Sequence, residues 1–230
     1  MAVRFLFTDR SHGDLSLGAE PAEVLARRRA ITEASGLDDV AWTVVRQVHG
    51  SRCIVVGQGE VRSVEAAAEG VACDELAEAD AIVTAERGLP VAVHAADCAP
   101  LLLVAPDALA VVHAGWRGLL AGVVEAAVVS LEALGQTPLR AVAGPTIGPE
   151  CYEFTGPELA DLQRRFGSEV RATTAGGTSA LDLRAGVRAA VAEHGLNLEQ
   201  SEICTACSSR HWSHRARSDS GRQALVAWLM

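Results

Sequence analysis

Two periodicities alternate along this chain. Apolar runs of about four to eight residues, the length of a strand, are separated by stretches in which apolar residues recur at helical spacing. Residues 4–8 read as a strand, and residues 21–35 as a helix with Pro21 in its first turn and Gly36 as its stop. Residues 42–48 and 52–56 read as two strands joined by a turn at Gly50-Ser51, and the polar, Glu- and Ala-rich residues 57–79 as a loop or short helix. Residues 81–84, 91–95, 101–104 and 110–113 are short, nearly continuous apolar runs, the pattern of strands buried on both faces. A strongly apolar helix follows over 119–134, ended by Gly135, then a strand over 139–143. Helices over 157–166 and 184–194 and a closing strand over 224–229 complete the pattern. No fixed repeat and no linker interrupts it. It predicts one α/β (α+β) domain over residues 1–230, layered, with a mixed central sheet covered by helices.

Composition narrows the chemistry. Hydrophobic residues make up 49% of the 230 and aromatic residues only 4%, so the core is aliphatic and the chain as a whole is not disordered. Twenty basic residues against 29 acidic ones leave a net charge of −9, which argues against a general nucleic-acid binder. All twenty basic residues are Arg. Without Lys, neither a Schiff-base mechanism nor a Walker-type phosphate loop can be built. The apolar region 89–116 is broken by His94, Asp97, Pro100, Pro106 and Asp107, so it does not read as a membrane span. The first residues hold too short an apolar stretch for a signal peptide, and a cytoplasmic location is the expectation. There, the six cysteines (53, 73, 98, 151, 204 and 207) stay reduced and free for metal or catalytic work.

Three polar residues stand where strands end: His49 in Gln47-Val-His-Gly50, Cys98 in Ala96-Asp-Cys-Ala-Pro100, and His113 in His113-Ala-Gly-Trp-Arg-Gly118. Two imidazoles and a thiolate suit Zn²⁺ and leave a fourth position open for chemistry. Their intervals match no standard zinc motif, so spacing alone favours three unrelated residues. A rival cluster, Cys204-x-x-Cys207-x-x-x-His211-x-x-His214, offers four ligands, but finger-type sites need a longer gap between their pairs. Arg117, at the start of the long apolar helix, is placed to bind an anion, and Arg10, Arg215, Arg217 and Arg222 are further basic candidates; the alternative is that all are solvated surface groups. Asp97 alternates away from Cys98 and is not read as a ligand. It orients a ligating His, pairs with an Arg, or caps its loop.

Taken in order, these blocks, with Gly144-Pro-Thr-Ile-Gly-Pro149, Cys151-Tyr152, Ser213-His-Arg215 and Gly221-Arg222, resemble the purine nucleoside phosphorylase family long labelled polyphenol oxidase or laccase-domain protein. The likeness runs from Phe7-Thr-Asp-Arg10 to the C-terminus. It implies a layered α/β fold and one zinc per chain, held by His49, Cys98 and His113. It also implies phosphorolysis of adenosine, inosine and methylthioadenosine, with phosphate as co-substrate, and hydrolytic deamination of adenosine. Cys98, Asp97 and Arg117 are then the catalytic candidates, and Arg10, Arg117 and Arg215 the substrate-binding ones, in a monomer or homodimer acting on small molecules. Bacterial members are also tied to editing of peptidoglycan precursors, which would use the same pocket. A copper phenol oxidase would need several His-rich copper centres, and a non-catalytic zinc protein would close the site with a fourth ligand such as Cys53 or Cys151. The chain departs from the family pattern at Ala95, where Thr is usual, in the segment after Arg10, which has one Gly fewer, and at Ala216. These departures bear on substrate contacts and leave the metal ligands untouched.

Overall fold

The computed structural model describes residues 2–37, 40–57 and 76–230. Most of the expected 57–79 loop, with Cys73, lies outside the described residues. Two sheets carry the fold. The larger has six strands in the order β10 (Asn197–Gln200), β7 (Arg140–Ala143), β5 (Ala99–Val104), β6 (Leu109–Ala114), β3 (Ala81–Thr84), β2 (Cys53–Val56). It is mixed: its outer pairs, β10 with β7 and β2 with β3, are parallel, and its inner pairs antiparallel. The smaller sheet sets β11 (Gln223–Leu229) between β1 (Val3–Phe7) and β4 (Val91–Ala95), antiparallel to both. A hairpin of β8 (Arg171–Thr173) and β9 (Ser179–Leu181) stands apart.

The strict alternation of side chains along each strand sorts the core into layers. Ile82, Leu102, Leu109, Val111, Val93, Leu225 and Leu229 meet between the two sheets. Their neighbours Ala81, Val83, Leu101, Leu103, Ala110 and Val112 face the helices α2 (Trp116–Ala121), α3 (Val123–Ala133), α4 (Pro157–Phe166) and α5 (Leu183–Ala192). On the far side, Ala224, Val226 and Trp228 pack with Ile31 of α1 (Pro21–Glu33). The molecule is thus helix, sheet, sheet, helices. This arrangement explains why the central strands read as unbroken apolar runs: water touches neither face. Trimming one of their fully buried leucines to Ala costs about 2–5 kcal/mol. Among the described residues no helix is long and apolar enough to cross a membrane.

Three expectations are corrected. Residues 42–48 form no strand but an extended crossing from one sheet to the other. Thr43 exchanges backbone hydrogen bonds with the start of β4, and Arg46 with the segment before β3. Residues 42–48 and 52–56 are therefore not a hairpin, and β2 instead pairs in parallel with β3. The helix expected over 119–134 is two helices meeting at Gly122, whose φ of 86° closes α2 and opens α3. A final short helix, α6 (His214–Arg217), capped by the Ser213 hydroxyl, was not evident from periodicity.

The crossing between sheets places the chemistry. β4 belongs to the small sheet and β5 to the large one, so the chain changes layers within Ala96-Asp97-Cys98. Asp97 there has a φ of 94° and His49 one of 60°; with Ser218 they are the non-glycine residues at positive φ among those described. Such backbone costs about 1–3 kcal/mol per residue and persists only where surroundings hold it.

Candidate metal centre

Asp80, fully buried at the start of β3, organises the centre. Its carboxylate accepts hydrogen bonds from the backbone N–H groups of Val48 (3.2 Å), His49 (2.9 Å) and Gly50 (2.7 Å), which holds His49 in its left-handed turn. The same carboxylate lies 2.8 Å from Nδ1 of His113. A carboxylate only accepts, so Nδ1 carries the proton and Nε2 is the ring atom open to a ligand role. Burial would raise the Asp80 pKa, but the His113 bond and the amides outweigh it and hold the group ionised. Asp80 went unread in the sequence, though a lone acid opening an apolar strand, Ala79-Asp-Ala-Ile-Val-Thr84, was a usable signal.

Gln47 supports the same loop from the other side. Its side-chain amide donates to the His94 carbonyl (2.7 Å) and accepts from the His94 N–H (2.8 Å), imitating one more strand beside β4. The ligating atoms of His49, Cys98 and His113 then lie within 4.8 Å of one another. Cys98 Sγ is 3.8 Å from His49 Nε2, and the two imidazoles meet edge to face at 4.8 Å. Gly115 completes the packing: a Cβ there would sit 3.0 Å from both Cys98 Sγ and His49 Cδ2.

The electrostatics favour a thiolate. Burial alone would push the Cys98 thiol up, but the charge of His113 and hydrogen bonds from both imidazoles bring it down to about 6. Burial alone would push the His113 imidazolium down, but the Cys98 thiolate and Asp80 raise it to about 9. A soft thiolate beside two imidazoles, one of them braced by a carboxylate, is a sound donor set for a divalent transition metal.

A cavity of about 500 Å³ opens over these three residues, lined also by His94, Trp116, Tyr152 and four arginines, Arg46, Arg117, Arg215 and Arg222. The arginines differ in what occupies them. Arg46 pairs with Glu78, and Arg222 donates to three backbone carbonyls of residues 219–221. Arg117 is exposed and lies over Trp116 (4.4 Å), with no carboxylate partner among the described residues. Arg215 lies over Tyr152 (5.0 Å) and donates to the Glu153 carbonyl. Arg10 does not line the cavity. Its guanidinium is bound to Asp219 (2.6 Å) and stacked 3.8 Å from the Trp212 ring.

Asp97 holds the cavity wall together. Its carboxylate accepts from the Thr205 hydroxyl (2.7 Å) and the Arg215 N–H (2.7 Å), and its carbonyl from Ile147 N–H and Thr146. These bonds sustain its positive φ and dock the first turn of α6. It anchors the first turn of α6, which Ser213 caps, and among the described residues its carboxylate has no hydrogen bond from a guanidinium or an imidazole. The rival Cys204/Cys207/His211/His214 set is not brought together. His211 is bonded to Ser208, His214 faces the main cavity, and the two thiols meet Glu150 and Cys151 instead.

A family model described as multi-copper polyphenol oxidoreductase laccase matches residues 9–230. A purine nucleoside phosphorylase of Streptomyces coelicolor is 38% identical over 247 residues, covering 99% of this chain and 96% of that one. An adenosine deaminase from an unknown prokaryotic organism is 30% identical, covering 90% of this chain and 82% of its own length. Among solved structures, the hypothetical protein YfiH of Bacillus licheniformis superposes with a TM-score of 0.86 at 25% identity, covering 99% of this chain and 93% of that one. YlmD of Geobacillus stearothermophilus gives 0.80 at 27% identity, covering 94% and 83%.

Proposed function

The chain belongs to that laccase-like family, and from this premise we propose that it is a zinc-dependent purine nucleoside phosphorylase with an accompanying adenosine deaminase activity. The substrates are adenosine, inosine and methylthioadenosine with phosphate, and the products are free base and a (thio)ribose 1-phosphate. One observation carries the reading: a single cavity holds His49, Cys98 and His113 together with the guanidiniums of Arg117 and Arg215, which no carboxylate neutralises among the described residues. Its volume of about 500 Å³ lies within the range of small-molecule sites.

The donor set fits zinc better than the copper of the family's description. A multicopper oxidase assembles several His-rich centres, whereas among the described residues one convergent group contains His, and the chain's two methionines are its terminal residues. His49, Cys98 and His113 would hold the ion, which supplies Lewis acidity at neutral pH when bound.

The protein's own groups do the remaining work. Asp80 fixes the tautomer of His113 and the turn of His49. Arg117 and Arg215 hold phosphate, Arg117 through the parallel hydrogen bonds that a planar guanidinium provides. Tyr152 and Trp116 offer aromatic faces to the base. Asp97 acts by positioning α6, and with it Arg215.

The test is an assay of metal-quantified protein with each nucleoside, with and without phosphate. Base release that requires phosphate and yields the sugar phosphate supports the reading. Phosphate-independent base release would make the enzyme a hydrolase.

A further inference from the structure

The structure gathers a second set of metal-ligating side chains away from the cavity, and no motif in the sequence joins its two halves. Glu150 and Cys151 lie on a tight turn after Gly148-Pro149. Cys204 and Cys207 lie on the turn that follows β10. One oxygen and three sulfur atoms converge, all within 4.8 Å of one another.

We propose that Glu150, Cys151, Cys204 and Cys207 form a second, structural metal site for a thiophilic divalent cation such as zinc, clamping the 148–151 turn to the 204–207 turn. Tetrahedral zinc with Zn–S bonds of about 2.3 Å sets neighbouring ligands about 3.8 Å apart. Cys151 Sγ and Cys207 Sγ are 3.4 Å apart, and Cys207 Sγ lies 3.8 Å from Glu150 Oε1. The backbone also suits a bound thiolate: the N–H of Gly148 points at Cys204 Sγ from 3.1 Å, and the N–H of Cys207 also donates to that sulfur atom. Amides aimed at a sulfur atom are how Cys-x-x-Cys turns support the ligand they present. Gly148 leaves room for the Glu150 carboxylate, since a Cβ there would sit 2.3 Å from it and displace it from the cluster. A disulfide between Cys151 and Cys207 would explain two of the four groups and leave Cys204 and Glu150 facing it without purpose. Cys204 is buried and Cys207 exposed, so the cluster has a floor and an open side through which an ion can enter.

Both clamped turns lean on the cavity. Tyr152, next to Cys151, lines it, and Thr205, next to Cys204, holds the Asp97 carboxylate. The second ion would therefore shape the wall of the reacting site from behind without touching substrate.

The experiment is metal analysis and cobalt(II) titration of reduced protein. Wild type should carry two zinc equivalents, and Cys98→Ala and the Cys204→Ser/Cys207→Ser pair one each. Cobalt-loaded wild type should show thiolate-to-metal absorption worth four thiolates, and cobalt-loaded Cys98→Ala absorption worth three. The wild-type spectrum needs no variant to fold. Absorption worth a single thiolate in wild type, or Cys98→Ala protein that binds neither metal under reducing conditions, overturns the proposal. Recovery of a Cys151–Cys207 disulfide from protein kept reduced and supplied with zinc overturns it as well.

Discussion

Cys98 and Cys151 are the same residue type in one small protein, and their surroundings push them in opposite directions. Burial raises both. At Cys98 two imidazoles overcome it and bring the thiol down to about 6, whereas at Cys151 the neighbours are the Cys207 and Cys204 thiols, which add to it and take it up to about 12. The first cluster has a buried carboxylate behind His113 and, in front, a cavity where Arg117 and Arg215 have no carboxylate partner among the described residues. The second lies between two turns, with the Arg184 guanidinium acting on Glu150. Cysteine chemistry is therefore set by what faces the sulfur atom, and the two roles proposed above, a reacting centre and a holding one, rest on that difference.

The sharpest way to break that division is to remove one sulfur atom from each. Cys98→Ala should lose one metal equivalent and at least about 10³-fold in turnover, the scale of the several kcal/mol that a Lewis acid contributes. The fold should survive, because the site lies at the rim of the sheets. Cys204→Ser should leave the His49–Cys98–His113 centre loaded and change turnover far less. Metal analysis beside a nucleoside assay decides it, and stoichiometric metal retained at that centre by Cys98→Ala sinks the assignment.

A metal-stripped sample tests the electrostatics directly. At pH 7 a thiol with a pKa of about 6 is mostly ionised, while one at about 12 is ionised to about one part in 10⁵. The less basic thiolate is also the weaker nucleophile, which returns nearly 10³ of that advantage. Alkylation should thus modify Cys98 about 10²-fold faster than Cys151. The Cys98 rate should hold as pH falls from 8, then drop near pH 6 as the thiolate takes up its proton. Zinc should protect it. Equal rates for the two cysteines at neutral pH would remove the contrast.

Asp80→Asn asks whether the carboxylate behind His113 matters as a charge. Asparagine keeps the size and one acceptor oxygen, but it brings an NH₂ group against donors and no longer fixes the imidazole. Metal affinity should fall by about 10–100-fold, as for other lost partners of ligating histidines. A chelator competition measures it. Affinity unchanged from wild type would reduce Asp80 to a loop anchor.

The central strands were legible in the sequence because water meets neither of their faces; His49, Cys98 and His113 stood out beside Gly and Pro turns, but their spacing joined them to nothing and only the family resemblance made them a set. What stayed hidden has a common physical cause: it depends on contacts between distant segments. Residues 42–48 have the alternation of a strand, yet they pair with two sheets in turn and belong to neither. Gly122 falls inside the apolar run 119–134 without interrupting its pattern, and only its positive φ splits the helix. Asp80 reads as a stray charge until the fold sets three amides and an imidazole around it. Cys204 and Cys207 read with His211 and His214, because nothing local announces that Glu150 and Cys151 arrive from more than fifty residues away.

The smallest expected effect concerns the arginine that separates the two clusters in kind. Of the arginines around the cavity, Arg46 is paired with Glu78 and Arg222 is folded onto its own backbone; Arg117 rests on Trp116, with no carboxylate partner among the described residues. A guanidinium stacked on an indole is held in place with its donors still directed outward, so it can grip a phosphate with two parallel hydrogen bonds. An ammonium in its place keeps the charge and loses both the stacking and the fork. Arg117→Lys should therefore raise the KM for phosphate by about tenfold or more, equivalent to roughly 1.4 kcal/mol. Zinc content should not change, since Arg117 is none of the three proposed ligands, and phosphate-independent deamination of adenosine should fall much less. Should both reactions fall together, Arg117 holds the nucleoside or its own turn. The phosphate would then belong to Arg215, whose backbone Asp97 has already fixed at the cavity wall.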